Sequence, residues 1–528
     1  MALAVVRHGG RRRCETGSAD DEAHLPFRGL RRAATLCAVA TLILASCPPA
    51  GAEPPPGFDD TLDVWPTAVQ PASCRSEDRV ETGLQGEVTV EDRVSGRSAQ
   101  GYNCNIDLVG QYQGQGAGFV SASYKSCAYI APTWPHTTGL QVIDASDPAN
   151  PKLTDTLTEP AMMAGTWESL KVNDTRGLLA GTGVPFVLGL GYFSIYDISQ
   201  DCAHPRLLNL GRGSIPGMRI PMLTHEGAFS PDGNTYWASG QMWVSALDVS
   251  DPTDPHTVWS APAGLANHGM DFTPDGDTMY MSTAFGLNVL DTTAVQQRAA
   301  PDFTMHQLLP LRGDKHWLDG QGQQHSIYTT YRGVPYIFQV GEMGSGGVKL
   351  FDASDPANLR LVNVIKLAID LPGHTDRWAS SASSTGFFAY DPHYCSVDRR
   401  VEPQALACGW TQAGVRVFDV RDPNNIHEIA YYNPPAQADK KPELTNSTHA
   451  TFENVGSLPL GGTFAVARAI LNDQAQASDL TRNGRFVADL TADWCMSPPE
   501  FRGNLLFVTC SDNGFMTLRL DPSVYPPR

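Results

Sequence analysis

Gly139-LQVIDASD-Pro148, Gly347-VKLFDASD-Pro356 and Gly414-VRVFDVRD-Pro423 are three versions of one phrase. Tyr192-FSIYDI-Ser199, Val244-SALDVSD-Pro252 and Gly286-LNVLDT-Thr293 repeat it, and Gly514-FMTLRLD-Pro522 is a worn further copy. In each, apolar residues alternate over about five positions, as a strand requires. The clearest copies then run into Asp-x-Ser-Asp-Pro, whose short polar side chains hydrogen-bond their own backbone and stop the strand.

Between these phrases lies a second pattern, clearest in Ala228-FSPDGNTYWA-Ser239 and Met270-DFTPDGDTMYM-Ser282. Two β-rich runs flank Pro-Asp-Gly, a hairpin in which glycine supplies the positive φ. Hairpin, phrase, turn and an outer strand such as Lys152-LTDT-Leu157 make four antiparallel strands per repeat. Asp144, Asp197, Asp248, Asp291, Asp352 and Asp419 recur every 43 to 67 residues, the spacing of propeller blades rather than helical solenoids. The reading is an all-β propeller of four-stranded antiparallel blades, seven of them, with Gln85-GEVTVED-Arg93 as the N-terminal strand that closes the ring. Thr448-HATFENV with Gly462-TFAVARAI would make an eighth, degenerate blade if that stretch were sheet.

The Asp-x-Ser-Asp-Pro phrases resemble LVIVD repeats, and the Ser-Pro-Asp-Gly hairpin is similar to that of YVTN-type bacterial propellers. The likeness spans about Glu81 to Pro522 and implies a fold, not an activity, because propellers host binding modules and enzymes alike.

Residues 1–52 read as a leader, 53–80 as an N-terminal extension and 81–528 as the propeller. Arg28, Arg31 and Arg32 precede the apolar run from Ala33 to Ala45, the layout of a secretory signal. Ala50-Gly51-Ala52 predicts cleavage before Glu53 and a secreted or periplasmic bacterial protein. Leu44-Ala45-Ser46-Cys47 competes as a lipobox, which would put a lipid on Cys47 and make an outer-envelope lipoprotein. A net charge of −18 argues against nucleic acid and against anionic membrane surfaces, so a lipid on Cys47 is the only predicted membrane link. Eight cysteines remain beyond the leader, an even set suited to an oxidising compartment. Cys104 with Cys127, Cys395 with Cys408 and Cys495 with Cys510 read as staples between first and second strands of a blade, which leaves Cys74 to Cys202.

Histidines open the innermost strand in several repeats: His225, His268, His325, His393 and His449. Around a propeller axis, equivalent positions converge, and convergent imidazoles suit copper, iron or zinc with an open position for a ligand. Trp167 stands where Thr166-Trp167-Glu168 aligns with Thr224-His225-Glu226, which breaks the ring. Glu168 and Glu226 would orient a ligand or act as general base beside a metal. The competing structural reading has each imidazole bonding a neighbouring blade's carbonyl. His374 with Asp376 and Arg377, and His316 with Trp317, form loop clusters without catalytic spacing. No GxSxG, P-loop, GxGxxG or HExxH motif occurs. The first functional expectation is therefore a binding module that presents loops to a protein, peptide or glycan. The second is a metal-dependent oxidoreductase or lyase.

Overall fold

A computed structural model describes residues 65–132, 138–163, 165–183, 192–209, 224–298, 307–374, 377, 381, 389–437, 444–449 and 492–525. The leader, Cys47, Asp376 and the Gly462 stretch lie outside these residues. Seven antiparallel sheets form in chain order. Blade 1 covers residues 121–157, blade 2 residues 171–207, blade 3 residues 226–267, blade 4 residues 270–316 and blade 5 residues 321–365. Blade 6 covers residues 394–433 and blade 7 residues 500–520, each with one added N-terminal strand. In blade 3 the continuous segment Thr235–Asp248 doubles back on itself, Val249 N–H donating to Asn234 O at 2.9 Å, and so supplies two strands.

The repeated phrase does what its chemistry dictates. Asp144 Oδ1 accepts the Ser146 N–H at 2.9 Å and Asp147 Oδ1 the Ala149 N–H at 3.1 Å. Asp248 with Ser250, Asp352 with Ser354 and Asp419 with Arg421 repeat the first of these bonds. In the hairpins Gly233 and Gly276 take φ of 72° and 77°, a region other residues resist.

Strand periodicity buries both faces of each blade, and every interface between neighbouring blades has its own apolar cluster. Leu140 and Val142 face blade 2, whereas the next residue, Ile143, faces blade 7 with Phe507 and Phe515. Trp237 and Trp259 meet Met279 and Met281 between blades 3 and 4. Innermost strands touch from blade to blade, and the last blade reaches Ser121–Tyr124 of the first, so the ring is closed.

Closure differs from expectation. Ile106–Tyr112 pairs with Gly514–Leu520 and completes blade 7, while Tyr102–Cys104 adds a fifth strand to blade 6. Within the 85–93 stretch expected to close the ring, the chain instead enters a helix, Val90–Ser95. Thr89 accepts the Asp92 N–H and Gly96 ends the helix at φ 79°, so N-cap and C-cap chemistry outweighs the alternating pattern. The described part of the supposed eighth blade, Thr448–His449, is bonded to the segment that leads into blade 1, Thr448 N–H donating to Ala117 O at 3.0 Å.

Cys395–Cys408 and Cys495–Cys510 pair as expected. The other two pairs are Cys74–Cys104 and Cys127–Cys202, which corrects the expected Cys104–Cys127 and Cys74–Cys202. Cys104 is on the extra strand of blade 6 rather than in blade 1, where Tyr124 stands opposite Cys127. Among the described residues no helix is long and apolar enough to cross a membrane.

Candidate metal centre

Three of the five histidines share one backbone position. The N–H groups of His225, His268 and His393 donate to Ser239 O, Ser282 O and Gly409 O at 2.7, 3.0 and 2.9 Å, carbonyls of the second strand of blades 3, 4 and 6. Each imidazole is thereby hung at the same end of the axis. Blade 2 contributes differently. Trp167 adopts a left-handed backbone at φ 48°, and it is Glu168, not Trp167, whose side chain meets the three rings.

Glu168 is 1% exposed. Its Oε2 lies 2.8 Å from His225 Nε2 and 3.2 Å from His268 Nε2, and its Oε1 lies 2.9 Å from His393 Nε2. Glu342, on the second strand of blade 5, stands 3.9 Å from His268 Nε2 and 3.8 Å from His393 Nε2. The far sides of two rings are fixed: His268 Nδ1 bonds Gln324 O at 2.8 Å and His393 Nδ1 bonds Met496 O at 3.0 Å. A carbonyl only accepts, so both Nδ1 atoms carry hydrogen and both neutral rings turn an Nε2 lone pair on a carboxylate. That juxtaposition needs a cation between the atoms, either a proton or a metal ion.

Without metal a proton fills that role at His268. Burial pulls the His268 imidazole down, but Glu168 and Glu342 outweigh it and raise its pKa to about 10. Burial pushes the Glu168 carboxyl up, and His225, His268 and His393 overcome this and hold it well below the ordinary range. Protonation of imidazoles around buried carboxylates is costly, and the donors are already gathered for a cation in two triads that share Glu168: Glu168 with His225 and His268, and Glu168 with Glu342 and His393. A tetrahedral ion about 2.0–2.2 Å from each ligand gives donor–donor edges of about 3.3–3.6 Å, so an ion would spread the Glu168 contacts of 2.8, 3.2 and 2.9 Å by a few tenths of an ångström.

One residue further along the inner strands, the axis is crossed. Tyr394 of blade 6 donates to the Glu226 carboxylate of blade 3, and Lys171 of blade 2 pairs with Glu226 at 2.6 Å. Burial raises the Glu226 pKa, Lys171 pulls it down and Glu168 pushes it up. Glu226 therefore belongs to a plug beneath the histidine layer and not to the donor set itself.

The remaining candidates separate from the cluster. His325 turns to blade 6, with Nε2–H on Cys395 O at 3.2 Å and its ring stacked on Tyr394 at 4.7 Å. Burial, reinforced by Lys171, pushes its pKa down to about 3, so this ring is neutral. His449 stacks on Trp494 at 4.7 Å, and its Nδ1 bonds Asp512 Oδ2 at 2.8 Å. Asp493 completes that second group. Both Asp493 oxygens are taken up by the N–H groups of Trp494, Asp512 and Asn513 and by the Asn513 amide, which leaves little for an ion. Trp317 is buried beneath Lys349, His316 lies 3.7 Å from Asp314, and Arg377 pairs with Glu87. Among the described residues, neither loop cluster is bonded to the axis group.

Sequence reasoning missed Glu342, Lys171 and Tyr394. The one available signal for Glu342 was a lone acid ending the apolar strand Val334–Met343.

The chain matches no protein-family model and no curated protein. Among solved structures it is similar to the periplasmic gluconolactonase of Pseudomonas aeruginosa, at 14% identity over 59% of this chain and 83% of that one, TM-score 0.41. It is similar to the hydrazine synthase of Kuenenia stuttgartiensis, at 11% identity over 78% and 96%, TM-score 0.42. A protein of unknown function from Desulfotomaculum acetoxidans gives 12% identity over 59% and 84%, TM-score 0.40. These are likenesses of fold alone, and the chain is a seven-bladed β-propeller.

Proposed function

We propose that the protein is an exported propeller that holds a first-row transition metal at its axis and uses it on a small ligand, as a metal-dependent oxidoreductase or lyase. One observation carries this reading. The Nδ1 atoms of His268 and His393 are committed to backbone carbonyls, and their Nε2 atoms meet on Glu168 together with that of His225. Such outer bonds are what orient metal-bound imidazoles.

Three imidazoles and a carboxylate, with no thiolate, suit iron, copper or zinc. The ion would supply Lewis acidity or electron transfer at an open position. His225, His268, His393 and Glu168 would hold it, and Glu342 would stand beside an incoming group. Lys171, Glu226 and Tyr394 close the axis beneath, which keeps water from that side. The four disulfides support an oxidising compartment, secreted or periplasmic; a lipid on Cys47 is the competing form of export.

Elemental analysis of the mature protein, after growth with added iron, copper and zinc, tests the reading. About one ion per chain is expected in the wild type, and its loss is expected in His225→Ala and His393→Ala. No stoichiometric metal under any growth condition would sink it, leaving a module whose loop face binds a protein, peptide or glycan.

A further inference from the structure

Four blades supply the contacts to the axial group: blade 2 gives Glu168, blade 3 His225, blade 4 His268 and blade 6 His393. Two arcs are left. The arc of blades 7 and 1 is closed by the packed group Phe119, Trp494 and Met496, and the buried His449, bonded to Asp512, stacks on Trp494. Phe119 stacks on Trp167 at 5.4 Å and lies 5.9 Å from the His393 ring. The other arc is blade 5, between His268 and His393, and it is polar.

Blade 5 is also where the ladder is broken. Its first two strands shift register between Gln323 and His325, so Gln324 is a bulged residue; bulges re-aim side chains beside active sites. The Gln324 carbonyl accepts both His268 Nδ1 and the Gly269 N–H at 2.8 Å, which ties the bulge to the donor set. Its side-chain amide is 0% exposed and has no partner at either its nitrogen or its oxygen. The next residue, His325, commits Nε2–H to Cys395 O and leaves Nδ1 buried without a partner. Orphaned polar atoms on two successive residues of one bulge are costly unless an occupant satisfies them, and Glu342 lies on the adjoining strand.

We infer that the open position of the axial site faces blade 5, and that its occupant is a small hydroxyl- or amide-type group held by Gln324, His325 Nδ1 and Glu342. This rests on the metal reading above. The Gln324 amide donates to and accepts from such a group, and the His325 ring, being neutral, accepts from it. Anions lacking a donor are served by the Gln324 N–H alone, which makes azide a usable probe.

The experiment loads full-length mature protein with copper(II) and titrates azide, following its charge-transfer absorption. Wild type is expected to hold about one copper and bind azide. Gln324→Leu is expected to keep the copper and lose about ten- to a hundredfold in azide affinity, the effect of one hydrogen bond to a charged ligand. Gln324→Met, which keeps the side-chain length without the amide, is measured alongside and is expected to match it. Unchanged azide affinity in both variants overturns the inference. Loss of copper from both does so too, since it would make Gln324 a support for the ligands. Copper without azide binding in the wild type overturns the inference alone, and no copper in the wild type removes the metal reading beneath it.

Discussion

Asp370, in the turn Ala368–Asp370 between blades 5 and 6, has a carboxyl that burial pushes up to about 8, against the pull of Ser345 and the Leu367 N–H. In the unfolded chain it titrates near 3.9. The folded protein therefore binds a proton that the unfolded chain lacks between roughly pH 4 and pH 8, and stability falls across that window as pH rises. Asp370→Asn is expected to flatten this slope and to melt above the wild type at pH 8; parallel Tm-against-pH curves for the two proteins would contradict the assignment. The same closeness of burial and charge explains what was legible at the axis. His225, His268 and His393 could be found because each opens a strand before a hairpin or a paired strand. His325 carries the same local signature, yet a bulge one residue earlier turns it to Cys395 O, and no linear pattern announces a bulge. Glu168 was visible only as Trp167's neighbour, since the left-handed residue that lets the carboxylate take the central place is a tertiary outcome. Glu342 arrives from a second strand, whose register with the first is set by pairing and not by sequence spacing.

At the scale of elements, side-chain-capped turns and alternating strands are local chemistry, and they were readable throughout. The N-terminal connections were not. Residues 85–93 alternate like a strand, but Thr89 and Asp92 cap a helix whose end is set by Gly96. The segment before it is held by long-range ion pairs: buried Arg416 meets Glu81 and Glu428. A partner like Glu81, 335 residues from Arg416 in sequence, leaves no local trace. Disulfide pairing failed for the same reason where it crosses blades, and held where two cysteines face each other across one hairpin, as Cys395 faces Cys408. The two kinds differ in consequence. Cys127–Cys202 closes 75 residues and ties blade 1 to blade 2, whereas Cys395–Cys408 closes 13. Loop-closure entropy puts the first at roughly 4.5 kcal/mol and the second at roughly 3 kcal/mol. Denaturant unfolding of the paired Cys→Ala variants is expected to show that order, and the reverse order would show that strain or residual structure dominates.

For the whole molecule, the ring converts repetition into a site. Seven interfaces each bury their own apolar cluster, so no blade needs the axis for its stability, and the axial ends of the inner strands are left free to vary. Three blades present imidazole there, one a carboxylate, and the rest a packed wall or a polar bulge. Closure by Ile106–Tyr112 on the last blade fixes the circumference, and with it the distances among groups drawn from residues 168 to 393. That convergence is the claim on which the functional account stands. Its most direct test is anomalous diffraction from crystals of the metal-loaded mature protein, recorded on both sides of the metal absorption edge. A single peak within about 2.0–2.2 Å of the Nε2 atoms of His225, His268 and His393 and of a Glu168 oxygen is expected. No peak at the axis, or one only at His449 and Asp512, would contradict it.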